Sequence, residues 1–124
     1  MTGEQPLLVV DDDPSILATV AEILSSEDYV VETARNGAEA LQAVERKRPW
    51  LVLLDMRMPV LDGWGFVRAL AERQISLPVV VMTAAQDARA WAAEVGAAGY
   101  LAKPFDLNDL LDAVERLRGA PPPH

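Results

Sequence analysis

"LVLLDMRMPV", residues 51–60, opens with four consecutive apolar residues and runs directly into Asp55. An unbroken apolar run of this length that ends on a charge has the pattern of a strand buried on both faces. Outward from it, "PLLVV" (6–10), "VVET" (30–33) and "LPVVVMT" (77–83) repeat the pattern, and "GYLA" (99–102) is a shorter fifth instance. The segments between carry helical spacing instead: Ile16, Val20, Ile23 and Leu24, then Ala40, Leu41 and Val44, then Val67, Leu70 and Ala71. Leu107, Leu110, Leu111, Val114 and Leu117 make the clearest stripe. Asp13 before Pro14, Asn36 before Gly37 and Asp106 before Leu107 supply helix N-caps, with Pro14 suited to the first helical position.

Strands and helices therefore alternate, and apolar strands in such an alternation form a parallel sheet whose crossover helices cover both faces. The expected fold is a doubly wound α/β domain with a five-stranded parallel sheet. The 124 residues, 51% hydrophobic and 24% charged, suit one compact domain. We assign residues 1–118 to it and read 119–124, with three consecutive prolines, as a tail or stiff linker. Those prolines favour a domain cut from a longer protein over one that stands alone.

Charge and composition exclude several functions. A net charge of -8, from 11 Lys and Arg against 19 Asp and Glu, opposes direct nucleic-acid binding by this chain. Cysteine is absent and the single histidine is His124, which removes thiolate zinc sites and cysteine nucleophiles. The N-terminus lacks a signal-peptide pattern and no apolar run approaches the roughly 18 residues of a membrane span, so the expected address is cytoplasmic, without membrane contact.

In open parallel sheets the functional crevice lies outside the carboxyl ends of the strands. Reading off those ends gives Asp11 and Asp12, then Asp55, then Thr83, then Lys103 followed by Pro104; the second strand adds nothing. Two like charges near 4 Å repel by roughly 4 kcal/mol at an effective dielectric of about 20, so three gathered carboxylates call for a compensating cation. Oxygen ligands suit Mg²⁺, which takes one or two carboxylates and shares its remaining positions with water and a phosphoryl group. Asp55, leaving a central strand, is placed to act as the nucleophile toward a phosphoryl donor, with Asp11 and Asp12 holding the metal. Lys103 and the Thr83 hydroxyl can stabilise the transferred group.

These residues carry a resemblance. "LLVVDDDPSIL", "VLLDMRMPVLDGWGF", "LPVVVMTA" and "AAGYLAKPF" follow one another in the order and approximate spacing of the receiver domain of two-component response regulators. The chain resembles that family from about Leu7 to Leu117. The resemblance implies a flavodoxin-like (βα)5 fold and phosphorylation of Asp55 by a sensor histidine kinase or histidine phosphotransfer protein. It implies Mg²⁺ bound by Asp11, Asp12, Asp55 and the backbone carbonyl of Arg57. Asp13 is read as the helix cap rather than a third metal acid.

The resemblance further makes Thr83 and Tyr100 a switch pair, Lys103 the contact to the phosphoryl oxygens, and Pro104 the residue whose preceding peptide bond is often cis. Arg57 and Ala85 match positions that tune phosphate lifetime, and Ala84 is small enough to leave the phosphate accessible. The implied output surface comprises the fourth helix, fifth strand and fifth helix, acting on an effector domain or downstream protein or forming a homodimer. Trp91, in "ARAWAAEV" (88–95), has two readings: core, on a stripe with Ala88, Ala92 and Val95, or a partner-facing aromatic of that surface. Trp50 and Trp64 read as structural, and Glu39, Glu45, Glu72, Glu94 and Glu115 as solvated. Such a domain is a phospho-acceptor rather than an enzyme acting on an external substrate. A haloacid-dehalogenase-type phosphatase would need a second aspartate where Arg57 stands. A docking module of the same fold, working without phosphate, would not need the full set of Asp11, Asp12, Asp55, Thr83 and Lys103.

Overall fold

A computed structural model describes residues 5–118, so the tail at 119–124 lies outside the described residues. Ten elements alternate along the chain: β1 (Leu7–Val10), α1 (Pro14–Ser26), β2 (Val31–Ala34), α2 (Gly37–Arg46), β3 (Leu51–Asp55), α3 (Gly63–Glu72), β4 (Val79–Ala84), α4 (Ala85–Val95), β5 (Gly99–Lys103) and α5 (Leu107–Arg118). The strands form one parallel sheet in the order β2-β1-β3-β4-β5.

Strand alternation divides the core between the two faces. Leu7 and Val9 point toward α1 and α5, where they meet Leu17, Val20, Leu24, Leu110 and Val114. Leu8 and Val10 point the other way, toward Ala40 and Val44 of α2, Phe66 and Leu70 of α3 and Ala92 of α4. Both faces of β1, β3 and β4 are thus covered, as their unbroken apolar runs require.

Three expectations are corrected. β2 is an edge strand, with Val30 exposed and Thr33 facing solvent, because β1 pairs it on one side only. In α3 the fully buried residues are Phe66 and Leu70, about one turn apart, while Val67 is half-buried and Ala71 exposed, because the large Phe66 ring takes the core-facing position. Leu107 is also exposed: it is the first residue of α5, and the helix is buried only from Leu110 onward, at Leu110 and Val114.

The expected caps form. Asp13 accepts from the backbone N–H groups of Ser15 and Ile16, Asn36 from that of Glu39, and Asp106 from that of Asp109. Glu45 pairs with Arg73 at 3.2 Å, and Glu39 accepts from the Arg35 backbone N–H, so these acids have more specific partners than water. Trp50 stacks on Tyr29 at 5.9 Å, at the end of the sheet opposite the acidic rim.

Candidate functional site

The strand order makes the site. β1 connects outward to β2, and the chain then crosses back over β1 to enter β3, so the carboxyl ends of β1 and β3 flank the point where the winding reverses. Val10 is in register with Leu54, which sets the following residues, Asp11 and Asp55, side by side. Across the other edge of β3, Asp55 is level with Met82, and across β4, Ala84 is level with Lys103. Register alone therefore brings Asp55, Thr83 and Lys103 to one rim.

The loop between β3 and α3 is tied down at both ends. Gly63 N–H donates to the Met56 carbonyl at 2.9 Å, and Gly37 N–H to the Leu61 carbonyl at 2.8 Å. Gly63 is needed for this approach, since a Cβ there would lie 2.5 Å from Met56 Sδ and 2.8 Å from Met56 Cα. The loop backbone is thereby fixed beside Asp55.

Carboxylate oxygens of Asp11, Asp12 and Asp55 all lie within 4.8 Å of one another. Asp11 is fully buried; one oxygen accepts from the Asp13 backbone N–H at 2.9 Å and the other from Lys103 Nζ at 2.8 Å. Lys103 Nζ stands 3.8 Å from Asp55, so the single ammonium is shared, and unequally, between two carboxylates. Asp12 is exposed and closes the cluster from the solvent side.

Asp55 is 6% exposed. Burial raises its pKa to about 7, the Asp11 charge adds to the rise, and Lys103 and the Arg57 backbone N–H oppose it. The cluster holds more negative charge than Lys103 can balance. An all-oxygen donor set with excess negative charge fits a hard divalent cation.

The remaining candidate residues divide into two groups. Thr83 is buried beside Asp55, and the Lys103–Pro104 peptide bond is cis. Tyr100, on β5, is 47% exposed. It borders a groove of about 400 Å³ whose walls include Pro104, Asp109, Asp112 and Arg116. Trp91 is half-buried and packs against the core with Val95 beside buried Ala92, in line with its core reading; it also meets Trp64 and lies under the Arg57 guanidinium. Trp64, read as structural, donates through Nε1–H to Glu94 at 2.9 Å, so Glu94 has a specific partner besides water.

The family model described as the response regulator receiver domain matches residues 7–115. The chain belongs to the response regulator receiver family. Sporulation initiation phosphotransferase F of Bacillus subtilis is 36% identical to this receiver over 114 residues, 90% of this chain and 92% of that protein. The transcriptional regulatory protein PrrA of Mycobacterium tuberculosis is 42% identical over 113 residues, 90% of this chain but 48% of PrrA. The receiver thus spans about half the length of PrrA, and 24% of the Escherichia coli regulator NtrC that it also matches. Among solved structures, the non-phosphorylated receiver domain of HemR from Leptospira biflexa superposes with a TM-score of 0.84 at 32% identity, covering 98% of this chain and 99% of that one. The receiver is therefore a signalling module of two-component systems, with the flavodoxin-like fold. Among the described residues, no helix is long and apolar enough to cross a membrane.

Proposed function

We propose that the receiver accepts a phosphoryl group on Asp55, in a Mg²⁺-dependent reaction, from a sensor histidine kinase or a histidine phosphotransfer protein. The observation that carries this reading is the buried Asp55 carboxyl at the strand end, with Asp11 and Asp12 oxygens within 4.8 Å and Lys103 Nζ at 3.8 Å. Asp11, Asp12, Asp55 and the Arg57 carbonyl would hold Mg²⁺, whose charge favours the ionised carboxylate and offsets the incoming phosphoryl oxygens.

In the transfer an Asp55 oxygen attacks phosphorus while the bond from phosphorus to the donor imidazole nitrogen breaks. The bonding pair leaves with that nitrogen, and the product is an aspartyl phosphate. Lys103, already between Asp11 and Asp55, extends to a phosphoryl oxygen, and the buried Thr83 hydroxyl donates to another.

Recruiting Thr83 is the step felt at a distance, because Thr83 lies one residue before the end of β4 and α4 begins at Ala85. Its movement draws α4 toward the site, and Tyr100 turns inward from its exposed position. The surface of α4, β5 and α5 then changes shape. Turning a resting population of 1:99 into 99:1 requires about 5.5 kcal/mol of differential interaction, within reach of several charge-assisted contacts to a phosphoryl group. The altered surface acts on an effector domain or a separate partner, or supports a homodimer. PrrA is about twice this chain's length, which leaves room there for a further domain, and phosphotransferase F is about the same length; the two lengths are compatible with the first two outputs.

Intact mass after incubation with acetyl phosphate tests the reading. One phosphoryl adduct that requires Mg²⁺ and disappears in Asp55→Asn supports it. The absence of both an adduct and Mg²⁺ binding on a folded protein sinks it.

A further inference from the structure

Arg57 lies between two attractors. The first is the acidic cluster two residues back, where Asp11, Asp12 and Asp55 face the single ammonium of Lys103. A guanidinium has forked donors matched to carboxylates and stays charged at every accessible pH. Yet among the ion pairs of the described residues Arg57 has none. The second attractor holds it: the guanidinium carbon is 5.2 Å from the centroid of the Trp91 ring, within cation–π range.

The ring is anchored in turn. Trp64, in the first turn of α3, meets Trp91 edge-on, with ring centroids 4.8 Å apart and planes at 70°. The Trp64 Nε1–H donates to Glu94 at 2.9 Å, and Glu94 lies on α4 one turn beyond Trp91. Two aromatic rings and a carboxylate, drawn from two helices, thus build a resting place for the loop's only side-chain cation. The Arg57 backbone stays with Asp55 while its charge points toward α4.

We propose that Trp91 is a positioning residue for the metal site, parking the Arg57 guanidinium over α4 and so keeping a competing cation off the carboxylates. The inference rests on the Mg²⁺ reading above. A freed guanidinium would pair with Asp12 or Asp55 from the solvent side and oppose the entry of a divalent ion by direct competition and like-charge repulsion. Trp91 makes no contact with the ion and acts only through Arg57.

Calorimetric titration of the full chain with MgCl₂ at pH 8 tests this. Trp91→Leu retains apolar bulk against the core but removes the aromatic face. It is expected to weaken Mg²⁺ binding about fivefold, the factor equivalent to about 1 kcal/mol. Trp91→Phe, which restores a ring, returns most of the affinity. Arg57→Ala keeps the backbone carbonyl and removes the competing charge, so adding Trp91→Leu to it leaves affinity unchanged. A purely structural role for Trp91 gives the opposite result, the same weakening with or without the Arg57 side chain, and overturns the proposal. Equal affinities of wild type and Trp91→Leu overturn it while leaving the phospho-acceptor reading intact. A wild type that binds no Mg²⁺ overturns both this proposal and the metal dependence on which it rests.

Discussion

Replacing Asp55 by asparagine should make the ion-free receiver more stable, by an amount that depends on pH. The Asp55 carboxyl is held at about 7 instead of 3.8, chiefly by burial and secondarily by the Asp11 charge. Folding therefore raises its proton affinity. Between about pH 4 and pH 7 the native state keeps a proton that the unfolded chain has released, so stability falls as pH rises through this window and the loss is complete above it. A rise of about three pH units corresponds to about 4 kcal/mol. With its side chain only 9% exposed, Asp55 has little solvent to screen that cost. The amide is nearly isosteric and carries no charge, so Asp55→Asn should match wild type near pH 4 and exceed it by up to about 4 kcal/mol at pH 8. Urea unfolding of both proteins in chelator at several pH values between 4 and 8 gives the difference directly, with the titration of distant groups cancelling. Adding Mg²⁺ at pH 8 should stabilise wild type by mass action and narrow the gap. A stability difference that stays constant with pH, or an asparagine variant less stable at pH 8, would refute the argument that unbalanced carboxylates dominate this rim.

Three further substitutions test individual contacts. Lys103→Met removes the ammonium 2.8 Å from fully buried Asp11, leaving that charge without its partner, and should cost about 3 kcal/mol in urea unfolding at pH 8. Val60 occupies the left-handed region at a φ of 71° while 82% exposed, so Val60→Gly should relieve strain without loss of packing and raise stability by about 1 kcal/mol, read as a higher urea midpoint. Gly63→Ala places a methyl group 2.8 Å from the Met56 backbone and should cost about 3 kcal/mol, with weaker Mg²⁺ binding because the loop carrying Arg57 must shift.

The parts of the molecule legible from sequence are those set by local pattern. Leu51 to Leu54 read as a buried strand because they are buried on both faces, and Asp55 stood out because a carboxyl ends the run. Asp11, Thr83 and Lys103 reach the rim for the same reason, since parallel strands deliver their carboxyl ends to one edge whatever the details of packing. What escaped depends on neighbours distant in the chain. The exposure of Val30 and Thr33 follows from an edge position that "VVET" does not encode. In α3, Phe66 rather than Ala71 faces the core, a choice made by packing against the sheet that the spacing of Val67, Leu70 and Ala71 does not encode. Val60 gave no sign of its left-handed backbone, which a valine rarely adopts. Trp64, Trp91, Glu94 and Arg57 come from three separate segments, and only the tertiary fold brings them together.

The measurement closest to the central claim is the location of the phosphoryl group. After treatment with acetyl phosphate and Mg²⁺, reduction with borohydride converts an aspartyl phosphate to homoserine, and peptide mass spectrometry then identifies the converted residue. Homoserine at position 55 and at no other aspartate is the expected result. Conversion at Asp11 or Asp12, or a stable adduct on a hydroxyl that resists reduction, would contradict the assignment of Asp55 as the acceptor.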